Sequence, residues 1–434
     1  MTRRSPIAVV GLAGAFPGAR SLDAFWQGIE AGRSAARPVP AGRWPVPAED
    51  LLADAPVPPD HLATVRACLL DPEQCDLGDC LEGGPLQDAG IHRLDPMVRL
   101  ALRVGIEAWR SARTESVDPA RAGVILANIA LPTEESSRLA RGIVGRAFEA
   151  AVLGADAPLA SDTTLGTDPR NRYVTGLPAG LLGRALGLGG GGFTLDAACA
   201  SSLYALHLAC EELHAGRLDA VLAGGVSRPD SLYTQVGFSQ LRALSPDGVC
   251  APFTARANGL VVGEGAGIFV LKRLADARAA GDTIHGVIRA VGLSNDVGGS
   301  LLSPQVEGQR RAMAQAYERA GWSPSDVDLV ECHGTGTPRG DAVELDSLAQ
   351  TWGDAQGPCV LGSVKSNVGH LLTAAGAAGF MKVLLALRHR RLPPTANADG
   401  EPLPGLVQGP FRLLRTAEDW ADPGRPRRAA VSGF

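Results

Sequence analysis

Short apolar segments of strand length alternate with helix-length segments along this chain, and this alternation restricts the fold more than any other feature. The strand-like segments share a run of apolar residues that stops at a glycine or a polar residue, and they cover residues 7–11, 122–128, 193–198, 218–224, 286–293, 327–332 and 359–364. Segments with helical spacing lie between them, at 23–31, 94–112, 201–216, 307–320, 342–351 and 374–388. Strands that alternate with helices indicate a mostly parallel sheet covered by helices.

The order of these elements in residues 281–434 is similar to their order in residues 1–280. We therefore expect an α/β fold made of two similar halves, which a chain of 434 residues is long enough to form. Residues 33–93 are rich in Pro, Asp and Gly, which predicts irregular surface structure. A helix and a loop at the periphery are expected over residues 132–170.

Composition excludes several classes of protein. A hydrophobic content of 45% with 20% charged residues is typical of a globular chain, and a net charge of −5 gives no basic surface for nucleic acid. The sequence contains no run of 18 apolar residues, so it predicts no membrane span. The eight cysteines are scattered and contain no Cys-x-x-Cys pair, which favours reduced thiols in the cytoplasm and argues against a zinc site.

Cys199 is the strongest candidate for a nucleophile. It lies between a short strand and the start of a helix, in the sequence Asp196-Ala-Ala-Cys-Ala-Ser-Ser202. Small neighbours allow a tight turn there, and a helix N-terminus favours the thiolate over the thiol. An isolated cysteine is more often a small buried hydrophobe. The strand–turn–helix context makes a functional role the better interpretation.

Two histidines occupy similar positions in the second half. His333 follows an apolar strand and opens the sequence His-Gly-Thr-Gly-Thr337, and His370 ends Lys365-Ser-Asn-Val-Gly-His just after the next strand. Ligands in α/β proteins collect at the carboxyl ends of strands. A thiolate can hold an acyl group covalently, and two neutral imidazoles can donate hydrogen bonds to a thioester oxygen that becomes negative. Such a site would stabilise an enolate formed by loss of carbon dioxide, without a metal.

At these residues the chain resembles the β-ketoacyl synthases of thiolase fold. It is most similar to the ketosynthase domains of multifunctional polyketide and polyunsaturated fatty acid synthases. The resemblance runs from Ile7 to Phe434. Besides the motifs around Cys199, His333 and His370, it rests on Phe16-Pro-Gly-Ala19, Asp95-Pro-Met-Val-Arg99, Ala223-Gly-Gly-Val226, Leu244-Ser-Pro-Asp-Gly248 and Gly263-Glu-Gly-Ala-Gly267. It implies a duplicated, five-layered αβαβα fold, in which residues 1–280 carry the cysteine and residues 281–434 carry the two histidines.

The resemblance also implies the roles of individual residues. Cys199 is expected to accept the acyl chain, and His333 and His370 to drive decarboxylation of a malonyl thioester. Lys365 is expected to organise the site electrostatically, and Thr335 and Thr337 to contact the pantetheine arm of an acyl carrier protein. That carrier brings the phosphopantetheine, so we expect the chain itself to bind no cofactor.

Further expectations concern the assembly. Members of the family are usually homodimers, with the region around the nucleophile close to the two-fold axis. The family continues into a glycine-rich loop and a last strand where this sequence has Val431-Ser-Gly-Phe434. We therefore expect the C-terminal half to lack that loop and strand. Either the sequence is trimmed from a longer protein, in which further synthase domains follow Phe434, or it is a natural fragment that needs a partner.

Two other functions compete with a condensing enzyme. The first is a non-catalytic partner that resembles the chain-length-factor subunits, which lack the cysteine. The second is an acyltransferase of the thiolase type, which uses a second cysteine as a base. The presence of Cys199, His333 and His370 together favours the condensing enzyme over both.

Overall fold

The computed structural model describes residues 5–154, 167–299, 304–354, 358–407 and 409–434. Its strands, numbered along the chain, are β1 (Ile7–Ala15), β2 (Arg37–Pro38), β3 (Arg66–Ala67), β4 (Ala122–Ala127), β5 (Gly192–Leu195), β6 (Ala220–Ser227), β7 (Gly265–Arg273), β8 (Gly286–Ile288), β9 (Leu329–Glu331), β10 (Cys359–Gly362), β11 (Arg391–Leu392), β12 (Phe411–Leu413), β13 (Glu418–Asp419) and β14 (Ala429–Val431). Its α-helices are α1 (Leu22–Glu30), α2 (Pro96–Arg110), α3 (Glu134–Ala140), α4 (Arg146–Leu153), α5 (Leu177–Ala185), α6 (Ser201–His214), α7 (Ser231–Gln240), α8 (Leu274–Ala279), α9 (Val306–Ala320), α10 (Pro338–Trp352), α11 (Lys365–Val368), α12 (Ala375–His389) and α13 (Pro404–Val407).

Two main sheets organise these strands. The first has the order β5-β4-β6-β7-β1-β8, in which β4 runs parallel to β5 and β6 while the pairs from β6 to β8 are antiparallel. The second has the order β12-β10-β9-β14 and is parallel throughout. The mostly parallel character predicted from the sequence therefore holds for the second sheet and for one side of the first.

Helices cover both sheets and fill the space between them. On the outer side of the first sheet, α2 packs against β1 and β7, and α5 packs against β4. On its inner side lies α6, which contacts α12, and α12 touches both the first sheet at β7 and the second at β9 and β14. Helices α9 and α10 pack on the far side of the second sheet. The result is the five-layered αβαβα arrangement.

The alternation of side chains along the strands explains why the central strands of the first sheet are buried on both faces. In β7, Phe269 and Leu271 join the core that contains α6 and α12, whereas Ile268 and Val270 join the core beneath α2. Successive side chains of a strand point to opposite faces, so an uninterrupted apolar run is what a sheet between two helical layers requires.

Most predicted elements are confirmed, and one is not. The strand predicted over 286–293 is only three residues long, and β8 pairs antiparallel with β1 at the edge of the first sheet. The predicted irregular region 33–93 contains only short strands and single helical turns besides extended chain. The peripheral helix of 132–170 is present as α3 and α4, and its residues 155–166 lie outside the described residues. Within the described ranges, no helix combines the length and apolar character needed to cross a bilayer.

The two halves meet closely at a glycine of β6. A Cβ atom added at Gly225 would lie 2.5 Å from the carbonyl oxygen of Thr373 and 3.1 Å from Cα of Ala374. Both of these residues belong to the helical turn Leu372–Ala374, which begins two residues after His370. The absence of a side chain at this position therefore sets how near the first sheet lies to a segment of the predicted site.

We predict that Gly225→Ala destabilises the protein by about 1–3 kcal/mol, because the added methyl group overpacks a backbone contact. The control is Gly237→Ala on α7, where an added Cβ would meet nothing within 4 Å. That replacement should be neutral or stabilising by up to about 1 kcal/mol, since Ala favours helix over Gly. Urea denaturation of both variants measures the difference, and equal effects would contradict the close approach of the halves.

Candidate active site

Cys199 lies in the tight turn that the sequence predicts. Strand β5 ends at Leu195, a single helical turn covers Ala198–Ala200, and α6 begins at the next residue. Ala198 has a φ of +50°, a left-handed conformation that residues with a side chain adopt only at a cost. The turn thus directs the cysteine away from the sheet at the start of α6.

Two polar side chains hold this turn. The carboxylate of Asp196 accepts hydrogen bonds from the N–H of Ala198 at 2.9 Å and from the N–H of Ala130 at 2.8 Å. The hydroxyl of Ser201 accepts from the N–H of Ala197 at 2.7 Å and donates to the carbonyl of Ala198 at 2.6 Å. These bonds offset the strain at Ala198 and fix the position of the neighbouring sulfur.

His370 reaches the cysteine from the second half of the chain. Its Nε2 lies 3.0 Å from Sγ of Cys199. Its backbone is tied to the first half, because its N–H donates to the carbonyl of Val261 at 2.7 Å and its carbonyl accepts from the N–H of Gly263 at 3.0 Å. The sequence predicts this histidine just after a strand, and the structure places the short helix α11 between β10 and His370.

His333 completes a group of three side chains. Its ring centroid lies 5.4 Å from that of His370, with the two rings nearly perpendicular at 88°. The N–H of Phe434 donates to Nδ1 of His333 at 3.4 Å. Because Nδ1 acts as the acceptor, the proton of the neutral ring resides on Nε2. The structure therefore brings Cys199, His370 and His333 together and leaves His333 a donor for another group.

Two buried carboxylates shape the loop after His333. Glu344 on α10 accepts from the N–H groups of His333 and Gly334, each at 2.7 Å. Asp341 accepts from the N–H of Phe253 at 2.8 Å and from that of Gly336 at 3.2 Å. Burial raises the pKa of both carboxyl groups to about 7. The sequence analysis gives neither Asp341 nor Glu344 a role. The only sign of a role in the sequence is that both residues follow the His-Gly-Thr-Gly-Thr motif at the start of a helix.

The loop depends on its two glycines. Gly334 and Gly336 have φ values of +33° and +76°, which glycine adopts readily. The fold of the loop brings the hydroxyls of Thr335 and Thr337 to within 3.0 Å of each other. Both threonines predicted to bind pantetheine thus lie in the same loop as His333.

The electrostatics of the site favour neutral groups. Burial raises the pKa of the Cys199 thiol to about 11, although the Lys365 ammonium opposes this shift. Burial and the same ammonium lower the pKa of His370 to about 3, and the pKa of His333 also falls well below its usual value. The resting site therefore holds a thiol and two neutral imidazoles. The thiolate expected from the helix N-terminus is disfavoured, because removal from water outweighs the effect of the helix and of Lys365.

Lys365 itself is buried, at 3% exposure, at the start of α11. Its charge acts on Cys199 and on both histidines, which places it within the same electrostatic environment. Among the described residues, no cluster of three His, Cys, Asp or Glu side chains is arranged to hold a metal ion.

Comparison with protein families gives two matches. The sequence model of the β-ketoacyl synthase N-terminal domain matches residues 4–277, and that of the C-terminal domain matches residues 285–399. Curated relatives include the spectinabilin polyketide synthase system protein NorC of Streptomyces orinoci, 36% identical over 439 residues. Another is the mycocerosic acid synthase-like polyketide synthase of Mycolicibacterium smegmatis, 35% identical over 441 residues. Each alignment covers 99% of this chain, but only 18% and 19% of the respective relative.

Solved structures give the same picture. The PfaC keto synthase-chain length factor superposes with a TM-score of 0.90 at 38% identity, over 99% of this chain and 46% of that one. The ketosynthase from module 6 of the bacillaene synthase from Bacillus subtilis 168 superposes with a TM-score of 0.80 at 32% identity, over 99% of this chain and 70% of that one. These neighbours are thiolase-like ketosynthase domains, as the sequence motifs predict. The chain therefore belongs to the β-ketoacyl synthase family, whose members include the ketosynthase regions of polyketide synthases.

Proposed function

We propose that this chain catalyses a decarboxylative Claisen condensation between an acyl chain held on Cys199 and malonyl-acyl carrier protein. The observation that carries the proposal is the contact of 3.0 Å between Nε2 of His370 and Sγ of Cys199, with the ring of His333 beside it. A nucleophile in contact with a neutral imidazole, next to a second imidazole that can donate a hydrogen bond, is what acyl transfer followed by enolate formation requires.

In the first step, the sulfur of Cys199 attacks the carbonyl carbon of an acyl thioester. Because the resting group is a thiol, its proton must leave as the new carbon–sulfur bond forms, and Nε2 of His370 is in position to take it. The departing pantetheine thiolate then receives that proton. The Lys365 ammonium lowers the pKa of the thiol and so reduces the cost of the transient thiolate.

In the second step, malonyl-carrier loses its carboxylate as carbon dioxide. The electron pair of the broken carbon–carbon bond moves into the thioester, whose oxygen becomes an enolate. For this step the neutral ring of His370 must hold its proton on Nε2, the tautomer opposite to the one that accepts the proton of Cys199. The N–H groups at Nε2 of His333 and His370 then donate to this oxygen, and the charge of Lys365 stabilises it further. The enolate carbon then attacks the acyl group on Cys199, which releases a β-ketoacyl-carrier and leaves Cys199 as a thiolate. Uptake of one proton from solvent returns this thiolate to the starting thiol.

The carrier supplies phosphopantetheine as part of the substrate, and we propose that Thr335 and Thr337 contact this arm.

The chain covers a small share of its curated polyketide synthase relatives, so a place within a larger synthase is part of the proposal. The proposed condensation would extend a polyketide chain or, as the alternative, a fatty acid chain. The eight cysteines are free thiols, which supports a cytoplasmic location.

Replacement of Cys199 by Ala should abolish formation of an acyl-enzyme. The measurement is the mass of the intact protein after incubation with an acyl-pantetheine thioester. The control is Cys210→Ala, which removes a buried thiol from α6, the helix that begins two residues after Cys199, and should leave acylation unchanged. Acylation of the Cys199→Ala protein would overturn the proposal.

Replacement of His333 or His370 by Ala should slow decarboxylation about 10²–10³-fold, because each removes a donor to the enolate oxygen. The measurement is release of labelled carbon dioxide from malonyl-carrier. His92→Ala, at an exposed position, is the control and should retain the wild-type rate.

These measurements also separate the competing functions. One structural neighbour is a keto synthase-chain length factor, which keeps a non-catalytic partner as the second candidate. Such a partner would neither accept an acyl group nor release carbon dioxide, and an acyltransferase of the thiolase type would accept the acyl group but release none.

We also propose that the chain forms a homodimer through β5. This strand pairs with β4 on one side, and within the described residues its other edge is unpaired. Phe193 on β5 is 46% exposed. Apolar side chains are also exposed on α4 and the turn before it, at Ile143, Val144, Phe148, Val152 and Leu153. Exposed strand edges and apolar patches are features of interaction surfaces.

Phe193→Asp should therefore convert the dimer into a monomer, because it places a charge in the buried interface. Sedimentation velocity measures the change in mass. Val407→Asp, at an exposed position on α13, is the control and should remain dimeric. An unaltered dimer in the Phe193→Asp protein would rule out this interface.

A further inference from the structure

A buried ion pair lies directly behind the loop that carries His333. Glu331 is the last residue of β9, and Lys382 lies on α12. Nζ of Lys382 is 2.7 Å from Oε2 of Glu331, and the two side chains are 0% and 1% exposed. Burying two charges costs several kcal/mol for each ion, so a pair of this kind contributes little net stability compared with apolar side chains of similar volume. The proposed condensation makes no direct use of either residue.

The second carboxylate oxygen of Glu331 has a different partner. Oε1 accepts a hydrogen bond from the N–H of Val364 at 2.5 Å. Val364 directly precedes Lys365, in the segment that ends at His370. Because Glu331 itself lies two residues before His333, its side chain connects the segment of one histidine to the segment of the other.

The backbone of Glu331 makes a third connection. Its carbonyl accepts from the N–H of Ser432 at 2.8 Å, two residues before Phe434. The N–H of Phe434 is the group that fixes the proton of His333 on Nε2. A single residue therefore links the segments that carry Lys365, His333 and Phe434.

Two glycines leave room for the side chains of Glu331 and Lys382, because a side chain at either position would collide with the ion pair. A Cβ atom at Gly362 would lie 2.9 Å from Nζ of Lys382, and one at Gly379 would lie 2.9 Å from Cγ of Glu331. The contact between the two charges is an ion pair and not a well-directed hydrogen bond. Lys382 thus neutralises the carboxylate, and the directional bond of Glu331 is the one to Val364.

We propose that Glu331 is a positioning residue for the active site. Its hydrogen bond to Val364 fixes the position of the segment from Lys365 to His370 relative to His333. Lys382 holds the carboxylate of Glu331 in place. The effect on decarboxylation rests on the proposed function, whereas the effect on Cys199 does not. Displacement of about 1 Å at a reacting group can cost on the order of 10²-fold in rate, so a hydrogen bond outside the site can control catalysis.

The test compares two double variants that both remove the buried charges. Glu331→Gln with Lys382→Met keeps an acceptor for the N–H of Val364, and Glu331→Leu with Lys382→Met removes it. Thermal unfolding checks that both are folded. We expect the Gln/Met protein to keep the wild-type kcat for malonyl decarboxylation, and the Leu/Met protein to lose about tenfold or more in kcat with KM unchanged.

A second readout does not depend on condensation. The rate at which iodoacetamide modifies Cys199 is measured against pH by peptide mass spectrometry. In the Leu/Met protein the profile should move to higher pH, because a displaced Lys365 no longer favours the thiolate, and in the Gln/Met protein it should not move. Absence of carbon dioxide release by the wild-type protein would refute the proposed function but leave this comparison valid.

Val364→Pro provides a further variant in case the Leu/Met protein does not fold. Val364 has a φ of −62°, which proline adopts, and the replacement removes the N–H without altering Glu331. It should reproduce the loss of kcat and the shift in alkylation. Either of two results would overturn the proposal. The first is a folded Leu/Met or Val364→Pro protein with the wild-type kcat and alkylation profile. The second is a Gln/Met protein that is as impaired as the Leu/Met protein.

Discussion

The contact between Sγ of Cys199 and Nε2 of His370 is the interaction on which the rest of the site depends. It joins a turn just before α6 to the segment that follows α11, so it exists only if both halves are folded and correctly placed. The backbone bonds of His370 to Val261 and Gly263 secure this placement. At Gly225 of β6, the first sheet lies close to the turn Leu372–Ala374 that follows His370.

The electrostatic state of the site follows from that burial. Burial disfavours the charged forms of Cys199, His333 and His370, so the cysteine keeps its proton and both rings remain uncharged. In the proposed condensation, a permanent imidazolium would attract a malonyl carboxylate and oppose its loss as carbon dioxide, whereas neutral donors would respond to charge only where it develops. Lys365 then provides positive charge from a buried position.

The sequence predicted the fold and the three central side chains because each depends on local pattern. Apolar runs and helical spacing identified the strands and helices, and Cys199, His333 and His370 each lay just beyond a predicted strand. It did not reveal Glu344, the N–H of Phe434 or the pair of Glu331 and Lys382, since those contacts join residues that are distant along the chain. The short pairing of β8 with β1 was also missed, because an apolar run does not specify which sheet it joins. The thiol form of Cys199 depends on burial, which no motif reports.

The position of β8 has a consequence for how the two halves of the chain can move. This strand comes after the first half of the chain, yet it is hydrogen bonded along the far edge of the first sheet, while α12 lies between both sheets. Halves that share a strand and a central helix in this way cannot hinge apart like the lobes of a clamshell. For the proposed condensation, this means that a long acyl group would reach the sulfur by local rearrangement of loops and side chains around a rigid body, and not by the swing of a domain.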